Sequence, residues 1–319
     1  SFAQLSQSIV SVRNVLRHGS FELHKWAAPK WLQREFDDQS SNPVSFASAA
    51  CHKALGVGWN LETDHIIFAA PPSSEPPRNR RQCASVFGSV FDPLGLLGAF
   101  TTRVKVFMRR LLEEVGDWDQ PLSPHLASDA ANLFLELHLL PQYSVPRPCV
   151  TRNQFELWIF ADASATAYGA CAYVYGHGDE HGALLLSRGR LSSKSRTIPQ
   201  LELCAAVVAA ELYAALRNEF SAASRVRFFT DSMITLCRVQ ANPNRYVPYV
   251  ANRIRLVQEK TAPEDWLHID TKLNPADLVS RGVPMKALLH DPIWLRGPAV
   301  SLVALAKPIR MLVTIASPP

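Results

Sequence analysis

The sequence predicts a mixed α/β fold over its second half, preceded by a mainly helical region, and three observations carry that prediction. The first is the order of elements after residue 150, which reads as three strands, a helix, a strand, two helices, a strand and a short helix. The second is a change of pattern at proline-rich joints, Pro71 to Pro77 and Pro141 to Pro148, which interrupt periodic structure and read as linkers. The third is composition: 47% hydrophobic and 19% charged residues over 319 positions are globular values, enough for about two domains.

Each element has a local reason. Between the joints, Phe91-Asp92-Pro93-Leu94-Gly95 is a turn signature, and helices are expected from about Thr101 to Val115 and from Pro124 to Leu140. Phe155 to Ala161, Ala167 to Tyr175 and Ala183 to Arg188 have the apolar, β-branched and aromatic content of strands, and Gly176 to Asp179 supplies a turn. The next helix is announced by Thr197 and Gln200, spaced as a capping box, with Pro199 in its first turn and helical periodicity from Leu201 to Phe220. Strand Val226 to Thr230, helices Met233 to Gln240 and Tyr249 to Lys260, strand Trp266 to Ile269 and a short helix from Pro275 complete the order. Trp59, Trp158 and Trp266 sit on apolar strands and are expected in the core.

No apolar run reaches the ~18–20 residues of a membrane span; the longest, Leu203 to Ala210, stops at Glu211, so no membrane partner is expected. The first residues show no basic segment leading into an apolar one, so export is not expected either. Six cysteines without a C-x-x-C pair argue against a disulfide framework. A net charge of +5, with basic clusters at Arg78 to Arg81, Arg103 to Arg110 and Arg188 to Arg196, is compatible with a polyanionic partner.

Chemistry is carried by acids at element ends. Asp162 ends one strand and Asp231 another; if those strands are parallel neighbours, both carboxylates emerge at one sheet edge, where sites of α/β folds lie. Glu202 is read in the first turn of its helix, and Asp277 opens the last one. Taken singly, each acid fits an ordinary turn, cap or helix-start residue. Gathered together, they would repel unless cations neutralise them, and hard oxygen ligands select Mg²⁺ or Mn²⁺, two of which support phosphodiester hydrolysis. His177-Gly178-Asp179-Glu180-His181 matches a zinc-peptidase pattern, but it falls in a glycine-bearing turn where that motif requires a helix.

The stretches around these acids (Phe160 to Ser164, Thr197 to Leu203, Thr230 to Ser232 and Asn274 to Gly282) resemble, in order, the ribonuclease H motifs of BEL/Pao-type retrotransposon polyproteins. Leu23 to Trp26, Lys53 to Trp59 and Phe91 to Leu97 look like the end of a polymerase palm, a primer-grip-like segment and a thumb or connection region. The resemblance implies a ribonuclease H-like mixed five-stranded sheet with flanking helices at 151–285. It further implies a palm and primer-grip remnant at 1–75, a helical thumb/connection-like region at 76–150, and a C-terminal tail at 286–319.

By the same resemblance, Asp162, Glu202, Asp231 and Asp277 would bind two Mg²⁺ or Mn²⁺ ions and cut the RNA strand of an RNA:DNA hybrid. Lys194, Arg196, Arg245 and Lys272 flank these acids and are the candidates for phosphate contacts. The expected partners are the hybrid and the rest of the polyprotein, including polymerase palm and integrase, in an intracellular setting: cytoplasm, virus-like particle or nucleus. The palm's paired aspartates are missing upstream of Leu23, and Asp37-Asp38 lies in a polar stretch, so DNA polymerisation is not expected. The family is also labelled a peptidase, yet neither Asp-Thr-Gly nor Asp-Ser-Gly occurs. The rival from another class is a fragment that grips nucleic acid without cutting it.

Overall fold

The computed structural model describes residues 2–21, 51–54, 57–148, 154–193 and 195–304. The segments around Leu23 to Trp26 and Asp37-Asp38 lie outside these, as does Lys194. The chain divides into two compact units, one of residues 1–69 with 143–147, the other of 70–142 with 148–319.

The first unit contains helix α1 (Phe2–His18) and an antiparallel sheet in the order β1-β2-β3-β4, from Cys51–Ala54, Val57–Asn60, His65–Ile67 and Ser144–Pro146. The turn between β2 and β3 is built by Asn60, whose Oδ1 accepts from the backbone N–H groups of Glu62 and Thr63 at 2.9 and 3.2 Å. Asp64 follows in the left-handed region at φ 55°. Its carboxylate accepts from Trp59 Nε1 at 2.9 Å and from Arg147 Nε and Nη2 at 2.8 and 3.0 Å. Trp59 is therefore a partly exposed bracket beneath Arg147, not a core residue, because its indole N–H needs a partner at the sheet's rim. The second proline-rich joint is not merely a connection, since it supplies β4; Pro146 is tolerated there because an edge strand has an N–H to spare.

In the second unit, α2 (Arg80–Gly88) is capped by Asn79, whose side chain accepts from Gln82 N. Asp92 accepts from the N–H groups of Leu96 and Leu97, both at 2.8 Å, and closes the expected turn before α3 (Gly98–Glu114). Gly95 sits there at φ 66°, so close to β7 (Ala183–Leu191) that a Cβ would lie 2.1 Å from Ser187 O. Helix α4 (Pro124–Leu137) follows.

The five-stranded sheet has the order β7-β6-β5-β8-β9, with β5 at Phe155–Ala163, β6 at Ala167–Gly176, β8 at Arg225–Thr230 and β9 at Trp266–His268. β5, β6 and β7 are antiparallel, whereas β8 and β9 run parallel to β5, so the sheet is mixed as predicted. On one face, small residues Ala161, Ala170 and Ala172 let α5 (Ile198–Leu216) approach closely through Leu201, Ala205, Val208 and Leu212. Helices α6 (Met233–Gln240) and α7 (Pro248–Gln258) extend that core with Leu236, Val250 and Ile254. By length and composition α5 could cross a membrane, which the run of apolar residues had not suggested; its burial beneath the sheet makes it the core helix.

The other face is aromatic. Trp158, Phe160, Tyr173, Tyr175 and Phe229 pack ring to ring, with centroids between 4.2 and 6.5 Å. Two phenols there meet the chain's last described segment: Tyr173 donates to Trp294 O at 2.8 Å and Tyr175 to Pro298 O at 2.9 Å. Trp294, fully buried, donates its indole N–H to Leu96 O at 2.9 Å. The start of α3 and the segment after α8 (Ala276–Arg281) thus meet over this face.

Candidate metal centre

The parallel register explains how two distant aspartates become neighbours. Ala161 pairs with Thr230, so Asp162 lies level with Asp231, which follows the end of β8; Asp162 does not end its strand as expected but is still inside β5, paired with Gly169 of β6. Helix α5 brings the third acid. Its capping box, with Thr197 and Gln200 each accepting from the other's backbone N–H, fixes the helix start at Ile198. That start is the one the capping box predicted, and it puts Glu202 just past the first turn and not within it. Ligand oxygens of Asp162, Glu202 and Asp231 lie within 4.8 Å of one another.

Burial makes this gathering costly without a counter-charge. Asp162 is 4% exposed and Glu202 9%. Burial, reinforced by Asp231 and Asp277 and opposed by a hydrogen bond from Ser280, pushes the Asp162 carboxyl up to about 6. Burial, then Asp162 and Asp231, push Glu202 up to about 9. Glu202 Oε2 is buried and has no hydrogen-bond partner. Converging, desolvated, hard oxygen donors with one oxygen left unsatisfied fit a divalent cation such as Mg²⁺ or Mn²⁺.

Asp277 does not join the three. It lies near enough to raise Asp162, but its Oδ1 accepts from Arg281 Nε at 2.5 Å. Three residues that the sequence did not single out hold the site together. Asn274, 3% exposed, donates from Nδ2 to Ala161 O at 3.1 Å and accepts from Ala276 N at 3.2 Å, tying the start of α8 to β5. Ser280, fully buried, donates to Asp162 Oδ2. Arg281 engages Asp277. The signal for the last two was the spacing, since residues three and four beyond Asp277 share its helix face. His268 ends β9, and its Nε2 lies 3.1 Å from Asp231 O.

Of the candidate phosphate contacts, Arg245 and Lys272 are exposed on the short 3₁₀ turns Pro243–Arg245 and Thr271–Leu273. Arg196 is partly exposed, with Nη1 3.7 Å from Cys204 Sγ and its guanidinium 5.9 Å from the Tyr249 ring centre. Arg253, also missed in the sequence, stacks on the same ring at 3.5 Å. The His177 to His181 pattern lies in the turn between β6 and β7, with Gly178 at φ 83°, and forms no helix.

A mixed sheet in the order β7-β6-β5-β8-β9, with carboxylates at the ends of its central parallel pair and a third on the core helix, defines the ribonuclease H-like class. Residues 79–232 match the family model described as Pao retrotransposon-like RNaseH-like domain. The match takes in Asp162, Glu202 and Asp231 and begins in the helical block, at the cap of α2.

Among solved structures, the chain is similar to ribonuclease H1 from the archaeon Halobacterium salinarum (16% identity, 39% of this chain and 90% of that one, TM-score 0.27). It is similar also to the N-terminal RNase H domain of a Mycobacterium tuberculosis protein (13%, 40% and 94%, TM-score 0.29). The dRH form of a foamy viral protease-reverse transcriptase in complex with double-stranded DNA matches at 12% identity over 69% of this chain and 38% of that one, TM-score 0.43. No curated protein matches the chain.

Proposed function

We propose that the protein is a divalent-cation-dependent nuclease that hydrolyses the RNA strand of RNA:DNA hybrids during reverse transcription of a Pao-type retrotransposon. The observation that carries this reading is the convergence of Asp162, Glu202 and Asp231 within 4.8 Å, with Glu202 Oε2 buried and unpartnered. These three would hold one ion, and Asp277 would help hold a second. Such ions, when bound, lower the pKa of water and steady the leaving oxygen of a phosphodiester.

The chain's own residues prepare for that. Ser280 favours the ionised form of Asp162 against the burial that opposes it. Asn274 fixes α8 to β5, so Asp277 is presented from a set position. Lys194, Arg196, Arg245 and Lys272 would meet phosphates, positioning the duplex without reading its sequence. A hybrid would be recognised by its shape and 2′-hydroxyls. The partners proposed are that hybrid and the remaining parts of the retrotransposon polyprotein.

The test is cleavage of an end-labelled RNA:DNA hybrid in Mg²⁺ by the wild type and by Asp231→Asn. Cutting of the RNA strand that the substitution abolishes supports the proposal. Hybrid binding with no cutting by either protein would instead identify a module that grips nucleic acid.

A further inference from the structure

We propose that Arg281 is a latch on Asp277, opened by a phosphodiester of the bound strand, so that the fourth acid reaches a second cation only when nucleic acid is present. The inference rests on the cation-binding reading of the acid cluster and adds to it an order of events.

Asp277 is held at 2.5 Å by Arg281 Nε, four residues on along the same helix. The guanidinium is stabilised in its charged form by Asp277 first, and further by Asp162 and Asp231. It therefore serves as the counter-charge on the open flank of the cluster. A cation that needs Asp277 must displace it.

The geometry lets the side chain leave while the helix stays. Gly282 ends α8 at φ 74°, its N–H bonded to Leu278 O, and a Cβ there would sit 2.7 Å from Arg103 Cγ. Val283 N donates to Ala99 O at 3.0 Å, anchoring the chain beyond it on α3. The backbone is thus pinned on both sides of Gly282. By contrast, the Arg281 side chain is 66% exposed and that of Asp277 only 26%. A pair between such neighbours on a helix surface holds weakly. A guanidinium meets a phosphate through parallel N–H donors, which is the stronger engagement.

Arg281 also lines a groove of about 360 Å³ with Arg103, Arg110, Asn132 and Thr166. A strand running from the acids into that groove would bring a phosphate to Arg281. Release of Asp277 would follow, and strand and second ion would bind cooperatively.

The experiment titrates Mn²⁺ into the full chain by calorimetry, with and without a hybrid made uncleavable by 2′-O-methyl substitution. Wild type, Arg281→Gln, Arg281→Lys and Asp231→Asn are compared, with circular dichroism confirming their folds. In the wild type, the hybrid should tighten the second Mn²⁺ about fivefold, the scale of a surface ion pair. R281Q should bind the second ion about fivefold more tightly without hybrid and lose the hybrid's effect; R281K, which keeps a charge, should retain part of it.

A second-ion affinity that neither the hybrid nor R281Q alters overturns the latch while leaving the first ion in place. If wild type binds no more Mn²⁺ than D231N, the cation reading fails and the latch with it. Should R281Q not fold, the hybrid effect in wild type against R281K decides.

Discussion

Ser280 Oγ donates a hydrogen bond to Asp162 Oδ2, joining two residues 118 positions apart in the chain, and the same hydroxyl lies 3.1 Å from Asp277 O. This donor, ahead of the backbone N–H of Ala163, opposes the rise of the Asp162 carboxyl, which burial takes to about 6. Ser280→Ala is expected to move the acid limb of the pH–rate profile upward, since Asp162 would then ionise at higher pH still. It should also lower stability near neutral pH by about 1–3 kcal/mol, the cost of a buried charged acceptor losing its donor. Rate profiles and urea unfolding check both; an unmoved acid limb would contradict the assigned role.

Stability should fall as pH rises when no divalent cation is present. Asp162 and Glu202 keep their protons in the fold up to about 6 and about 9, from ordinary values of 3.8 and 4.5. The native state therefore binds more protons than the unfolded chain between about pH 4 and 9, and the unfolding free energy declines through that window. Glu202→Gln should flatten the decline and raise cation-free stability at pH 8 by about 1–3 kcal/mol. Mg²⁺ should stabilise the wild type, more at pH 8 than at pH 5, and leave Glu202→Gln nearly unaffected. Thermal melts across pH, with and without Mg²⁺, measure this.

Trp294→Ala is expected to cost about 3–5 kcal/mol, the loss for a large aromatic in a packed core. The side chain is fully buried, and its N–H bond to Leu96 joins the end of the compact unit to the start of α3. For the same reason, a fragment beginning at residue 154 should expose the aromatic face and bind a hydrophobic dye, whereas one spanning 70–304 should not. Soluble yield and dye fluorescence separate the two.

Binding of hybrid should weaken with salt, and each phosphate contact removed should reduce the slope of log K against log salt by about one. Lys272→Ala and Arg245→Ala, both at exposed positions, are expected to act this way without altering stability. Arg196→Ala should also loosen the Cys204 and Tyr249 packing beneath it, and so lower the melting temperature. Filter binding at several salt concentrations tests all three.

The strands of the mixed sheet and the helix at Met233–Gln240 were legible in the sequence because alternation and capping are local properties. So was the meeting of Asp162 and Asp231, which needs only that two strands ending in aspartate run parallel and adjacent. What was not legible was any choice between equally local partners. Asp277 has Arg281 one turn away, and nothing in the spacing says whether the acid pairs with it or joins the cluster. Nor does composition show that Trp59 would bracket a turn, or that the stretch after Pro284 would cover tyrosines more than 100 residues earlier in the chain.

The placement of β4 has a consequence for proteolysis. Because residues 143–147 return to the first unit after the helical block, the polypeptide crosses between the units three times, at 69–70, 142–143 and 147–148. A single nick in the exposed residues Ser74 to Pro76 would therefore leave both halves associated, stitched by the β3–β4 ladder and the grip of Arg147 on Asp64. Cutting on both sides of β4 as well would be needed to part them, so limited digestion should yield a nicked species that migrates as two bands only after denaturation.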